Sequence, residues 1–367
     1  MILWLKQIQR WFKGQKEVIE DQNSLQELPS ETQAKIQEYL STISHPQKII
    51  EGIKNSIEEA TDRWLYSASS PNSLIILGNP VEPINEFIQE AIKQWQTPQN
   101  LPINCLCLPP ATNPAERQQQ LVEELQKVSV NSRTESQQQL YLIPNLSNCF
   151  IRCIGGLDGM NILRDKVAED KQKFWIIGCH NWAWEYLDKT NQIQADFEQT
   201  FSIPNLDGNE LKLWLKPAID NLYIDIEEKE DEFQKDFEKL AKISLGLSEV
   251  AKELWFICLG CEQQEQKQED EDIESSLLIK IAWQNLPKQP KISEDDRYVI
   301  YSLLLHQQLS LDCLAITLGE EKNLVNSHVR KLKELDLIQE NFGLLKINQV
   351  YYPQLAADLK QNKFLDF

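Results

Sequence analysis

The stretch whose reading decides the fold is NSLIILGNPVEPINEFIQEAI, from Asn72 to Ile92. SLIIL over 73–77 is a continuously apolar run of strand length. Gly78, Asn79 and Pro80 then make a turn, and an amphipathic helix follows over 83–96. Strand, tight turn and helix N-terminus together are the outline of a phosphate-binding site. The residues that would hold a phosphate are nonetheless missing from this turn.

Working outward, the pattern repeats. Further strands are expected at 103–108, 139–143, 174–179 and 200–203, with helices at 114–128, 146–170 and 183–196 between them. Continuously apolar strands separated by helices predict a parallel sheet of five strands, buried on both faces and joined by right-handed crossovers. Two helices, 31–43 and 46–66, precede it. After Pro204 the chain reads as all-helical, at 208–219, 233–244, 247–261 and 275–286. The two prolines of LPKQPKIS (286–293) break the pattern.

The last segment has the order of a winged helix-turn-helix. The helix in DDRYVIYSLLLHQQ is followed by SLDCLAITLG, with Ser310 as N-cap and Gly319 as stop. A third helix carries Val325, Val329 and Leu332 on one face, and a hairpin turns at Asn341–Gly343. The expected division is an amphipathic helix and linker (1–30), an α/β domain (31–220), a helical lid with acidic loops (221–289) and a winged helix (290–367).

Composition limits the function classes. The chain has 367 residues and a formal net charge of −19, which argues against a general nucleic-acid binder. Residues 225–238 hold eight acids and 262–274 hold seven, runs read as solvated faces. No apolar run has the ~18–20 residues of a membrane span, and Lys6, Gln7, Gln9 and Arg10 interrupt any signal-peptide core. The eight Cys, with Cys105, Cys107 and Cys179 inside apolar strands, read as reduced core thiols of a cytoplasmic protein.

Five strands with a phosphate-type turn after the first, a helical lid and a winged helix resemble the AAA+/STAND class of P-loop ATPases. The order is that of origin-recognition initiators, over residues 46–367. That resemblance implies where a nucleotide site should be. Its loop needs G-x-x-x-x-G-K-[ST]. From Gly78 this chain has Pro83 for the second Gly, Ile84 for Lys and Asn85 for the hydroxyl, with Glu82 adding a negative charge. At the end of the third strand, where the family has a Mg²⁺-holding acid, stand Pro144 and Asn145. After the fourth, His180 or Asn181 takes the place of its polar sensor. No arginine lies between Arg164 and Arg297, so the finger and lid arginines are absent too. The expectation is a pseudo-ATPase with no cofactor, no metal and no catalytic residue.

Other chemistry is sparse. Cys258-x-x-Cys261 has metal-ligand spacing but sits in an apolar helical pattern without a second pair. Cys149 and Cys153 read as core. Cys179 and His180, adjacent at a strand end, point in opposite directions. Arg152, beside Gly155-Gly156, is either a contact residue or a solvated side chain at a helix stop.

Three functions follow as expectations. The first is a non-catalytic scaffold or regulator working through protein contacts. The second is a DNA-binding regulator, with Asn326, Arg330, Lys331 and Lys333 on the outer face of the third winged-helix helix. The third is a switch that binds ATP without efficient hydrolysis. Trp4, Leu5, Ile8, Trp11 and Phe12 form an N-terminal apolar stripe able to dock on protein. A membrane surface is the alternative, met through Lys6, Arg10 and Lys13. Oligomerisation stays open.

Overall fold

The structure, a computed structural model, describes residues 27–67, 69–110, 113–131, 138–220, 230–261 and 279–364. The five N-terminal docking candidates, Trp4 to Phe12, and the acidic run 262–274 lie outside these residues.

The chain forms two compact units. One comprises 45–204 and 290–348, the other 1–44, 205–289 and 349–367. Helix α1 (Ser30–Thr42) belongs to the second unit. The first begins with α2 (Gln47–Tyr66), whose Ile49, Ile50, Ile53, Ile57, Ala60 and Trp64 fall at helical spacing and are all buried. Strand β1 (Ser73–Gly78) leads to α3 (Ile84–Gln94), and β2 (Ile103–Cys105) leads to α4 (Pro114–Asn131). Next come β3 (Gln139–Ile143), α5 (Asp158–Glu169), β4 (Lys173–His180), α6 (Asn181–Asn191) and β5 (Thr200–Ser202).

The five strands form one parallel sheet in the order β2-β3-β4-β1-β5. All eight residues of β4 are buried, as a central strand covered on both faces requires. Alternate residues divide between the faces. Ile75, Tyr141, Trp175 and Ile177 pack with Leu121, Leu125, Leu163 and Leu187 of α4, α5 and α6. On the other face Phe174 meets Trp64 of α2, at 5.5 Å between ring centroids. The fold is thus a five-stranded parallel P-loop-type sheet with helices on both faces, as the sequence resemblance implied.

In the second unit follow α7 (Gly208–Asp220), α8 (Glu230–Ile243), α9 (Ser248–Ile257) and a two-stranded hairpin of β6 (Leu259–Cys261) and β7 (Ile279–Ile281). Returning to the first unit, the winged helix consists of α10 (Glu294–His306), β8 (Gln308–Ser310), α11 (Leu311–Leu318), α12 (Lys322–Glu334), β9 (Ile338–Asn341) and β10 (Leu344–Ile347). Its strands make an antiparallel sheet ordered β8-β10-β9. A last helix, α13 (Tyr352–Gln361), belongs to the second unit.

Several expectations are corrected. The helix expected at 146–170 is a 3-10 turn, Leu146–Asn148, then irregular chain, with α5 starting only at Asp158. Gly155, at φ +74°, lies within that irregular stretch, in a conformation a helix cannot contain. The pattern at 247–261 ends in a strand, and the described part of the pattern at 275–286 is a strand, Ile279–Ile281, and a 3-10 turn, because Leu259 pairs with Ile281 and Cys261 with Ile279. Short apolar runs fit either structure, and the pairing decides. Cys258 and Cys261 therefore do not share a helix. Nor are Cys105 and Cys107 core thiols: both are exposed and joined by a disulfide.

The linear division at residues 30, 220 and 289 is also not the grouping that packing makes. Helix α1 buries Ile36 and Leu40 and packs with α7 and α9, while α9 also meets the turn Gln349–Tyr351 that precedes α13. The winged helix instead shares the α/β core, where Leu305 of α10 is a member of the main apolar cluster.

Candidate functional site

The C-terminal edge of the parallel sheet is where an α/β fold places its ligands. Gly78 ends β1 there, opposite His180 of β4. In the turn that follows, Val81 N–H donates to Asn79 Oδ1 at 3.3 Å and Glu82 N–H to Asn79 O at 3.0 Å. Ile84 N–H donates to Glu82 O at 2.9 Å. Pro80 and Pro83 have no N–H. Residues 80–84 therefore hold no spare amide to cradle a phosphate.

Ile84, at the lysine's place, is 4% exposed and folds back over the strand end. A Cβ added to Gly78 would lie 2.6 Å from Ile84 Cγ1, so hydrocarbon fills the space beside the glycine. Asn85 accepts from Gln89 Nε2 at 2.8 Å through its Oδ1, and Glu82 is buried.

The ends of β3 and β4 are occupied in the same manner. Pro144 is buried beneath Gly178, where a Cβ would meet Pro144 O at 2.3 Å. Asn145 Oδ1 caps Ser147 N–H at 3.0 Å, and its Nδ2 donates to Gln307 Oε1 at 2.6 Å. His180 is fully buried and caps α6 through Nδ1, which accepts from Ala183 N–H at 3.1 Å. Burial pushes its imidazole down to about 3, so it is neutral at pH 7. Asn181 is exposed.

Gln307 is the residue that joins these pieces. It lies between α10 and β8 of the winged helix, at φ +60°, an uncommon conformation for a non-glycine residue. Its Nε2 donates to Pro80 O at 3.1 Å while its Oε1 accepts from Asn145. One side chain thus spans the turn after β1 and the end of β3, the two places that in a P-loop ATPase grip phosphate and metal.

Two arginines fix the same face. Arg117 of α4 is fully buried, and Nε, Nη2 and Nη1 donate to Phe150 O (2.9 Å), Ser147 O (2.5 Å) and Gln308 O (3.5 Å). Burial lowers it to about 10, which leaves it charged at neutral pH. Arg152 donates through Nη2 to Thr317 O at 3.3 Å and lies 5.7 Å from the Tyr301 ring centre, so it is a contact residue inside the unit. Buried His306 of α10 packs on Phe150 and accepts from Arg152 N–H at 3.4 Å.

A cleft of about 410 Å³ remains beside this seam, lined by Glu82, Asn85, Cys107, Asn145, Asn148 and Gln307 among others. Its polar side chains are acids and amides, set among prolines, Ile84 and Leu108. Among the described residues no three His, Cys, Asp or Glu group as metal ligands. Cys149 and Cys179, both buried, are driven up by desolvation, Cys149 to about 12, and neither is a nucleophile at neutral pH.

On α12, Val325, Val329 and Leu332 are buried, as the pattern required. Of the outward candidates, Lys331 pairs with buried Asp296 and Lys333 with Glu340 at 2.8 Å. Arg330 is exposed, and Asn326 is half-buried. Asp296 belongs to the capping box of α10. Burial pushes its carboxyl up, but hydrogen bonds from Lys331, Ser293 and His328 outweigh this and hold it well below the usual carboxylate range.

Gln307, Arg117 and His306 were missed in the sequence. For Arg117 a signal existed: it stands at i−4, i−8 and i−11 to Leu121, Leu125 and Val128, on the buried stripe of α4. No pattern distinguishes Gln307 from Gln308.

No family model matches the chain, and no curated protein matches its sequence. Among solved structures, it is similar to ORC2 of Aeropyrum pernix in its ADPNP-ADP complexes at 12% identity and TM-score 0.37, over 94% of this chain and 98% of that one. It is similar to Cdc6p of Pyrobaculum aerophilum at 11% identity and TM-score 0.34, over 88% and 96%. A chain of the E. coli MS115-1 HORMA:CdnC:Trip13 complex matches at 13% identity and TM-score 0.34, over 58% and 76%. Among the described residues no helix is long and apolar enough to cross a membrane.

Proposed function

We propose that this chain is a non-catalytic protein of P-loop-type fold, in which the winged helix takes the place of a nucleotide, and that it acts by binding other proteins. The Gln307 bridge between Pro80 and Asn145 carries this reading, because it ties together the turn after β1 and the end of β3, the two positions between which a P-loop ATPase would seat a phosphate and its metal. The lack of a spare amide over 80–84 and the Ile84 side chain over Gly78 support it. So does the net charge of −19, which favours protein over nucleic acid as partner.

Calorimetry of the full chain with ATP–Mg²⁺ tests the catalytic half. No binding heat and no turnover above background are expected, and micromolar affinity would overturn the reading. Capture experiments comparing the full chain with one lacking residues 1–16 test the partner half. Loss of a partner on that deletion assigns Trp4, Leu5, Ile8, Trp11 and Phe12 to docking. Flotation with anionic liposomes that disappears in Trp4→Ala/Trp11→Ala would assign them to a membrane surface instead.

A further inference from the structure

Of the eight cysteines, six are free thiols, five of them buried and Cys153 partly so. The other two, Cys105 and Cys107, are both exposed. They flank buried Leu106, which directly follows β2, the edge strand of the parallel sheet, and extended chain directs residues two apart to the same side. Their Cα atoms are 5.4 Å apart, inside the range a disulfide requires. Leu106 N–H still donates to Leu142 O at 2.8 Å, so the bond forms without detaching the strand from the sheet.

We propose that Cys105–Cys107 is a thiol–disulfide exchange site open to small cellular thiols of the glutathione class. A disulfide that closes a loop over one intervening residue removes little freedom from the unfolded chain, so stabilisation does not account for it. Exposure places it with the labile disulfides rather than the structural ones. In the exchange, a thiolate attacks one cysteine sulfur, the S–S bond breaks and the other sulfur leaves as thiolate. A second small thiol resolves the mixed disulfide. The protein pair gains two electrons and two protons, and the two small thiols become one small disulfide. Cys107 lies on the rim of the cleft beside Asn85 and Asn145, so the exchange alters one wall of that cleft.

The test equilibrates the folded full-length chain in glutathione buffers of graded reduced-to-oxidised ratio, alkylates it, and reads each cysteine by peptide mass. The 105/107 peptide is expected to pass from unlabelled to doubly labelled as the buffer becomes more reducing. Once reduced, the pair should alkylate roughly 1,000-fold faster than Cys149, whose buried thiol is held largely protonated. Cys105→Ser should leave Cys107 carrying a mixed glutathione disulfide. A pair reducible only in denaturant, or one that stays as two free thiols at the most oxidising ratio, overturns the proposal.

Discussion

The two faces of the winged helix differ in what their polar groups do. On the face toward the sheet, Gln307, His306 and the carbonyls of Gln308 and Thr317 are all bound to the α/β body, chiefly through Asn145, Arg117 and Arg152. On the outer face, Arg330 and the wing-tip Phe342 are exposed. The inner face is therefore part of the fold, and the outer face is where a partner can be met. A winged helix hinged to swing over a nucleotide would need a less committed inner face.

Arg117→Ala should break that inner face most severely. Three carbonyls lose their donor, and a buried acceptor left without one costs ~1–3 kcal/mol. A loss of about 3–5 kcal/mol is expected in urea unfolding, and Arg117→Lys should recover little of it, because one ammonium cannot span three carbonyls. A loss below ~1 kcal/mol would mean the seam does not depend on this residue.

Acid should attack the same seam. Burial holds His180 near pKa 3 and also lowers His306, with Arg117 and Arg152 nearby adding to the second shift, so the unfolded chain binds more protons than the folded one below about pH 6.5. Stability is then level above that pH and falls as pH drops toward 3, by about 1.4 kcal/mol per unit for each fully differing histidine. Asp296, lowered in the fold, adds a further loss below its ordinary value near 3.9. His180→Asn keeps a side-chain acceptor for Ala183 N–H and removes the titration. The unfolding profile of that variant should be shallower between pH 6.5 and 4, and an unchanged slope would remove His180 from the account.

Gln307 allows a finer cut, because its hydrogen bonds and its backbone strain act in opposite directions. Gln307→Ala loses both hydrogen bonds and keeps a Cβ at φ +60°, so about 1–2 kcal/mol should be lost. Gln307→Gly loses the same bonds but relieves the strained conformation, and should be more stable than the alanine variant by about 1 kcal/mol. Equal stabilities would show that the backbone is not strained there.

How much of this was legible in the sequence varies with the kind of signal. Every strand of the parallel sheet was, because SLIIL and FWIIGC are apolar without interruption and are bounded by turns. The departures of Pro83, Ile84 and Asn85 from a phosphate-loop motif were legible too, since they are chemical absences in the sequence itself. The bridge from the winged helix to that turn was not. Gln307 acts over 162 residues on Asn145 and 227 on Pro80, and a glutamine at a turn has no period that advertises such a bond. The β6–β7 hairpin escaped for a related reason, because an apolar run of a few residues becomes a strand only when a distant one pairs with it.

The smallest effects separate two lysines that the sequence placed together on α12. Lys331 Nζ bonds Asp296, whose side chain has no exposed surface, while Lys333 and Glu340 are both more than two-fifths exposed. Removing Lys331 takes a charged donor from a buried carboxylate, although Ser293 and His328 keep their bonds to it. A loss of about 1 kcal/mol is expected for Lys331→Ala. Lys333→Ala should stay within about 0.5 kcal/mol, since solvent screens an exposed pair. This difference makes Arg330→Ala/Lys333→Ala the cleaner probe of the outer face: both side chains leave the fold intact when removed. If α12 reads DNA, the double variant should weaken a salt-sensitive gel shift by two contacts' worth while its unfolding curve stays in place. If no salt-sensitive binding exists to be weakened, or binding survives both changes, α12 does not read DNA and the outer face is left to protein partners.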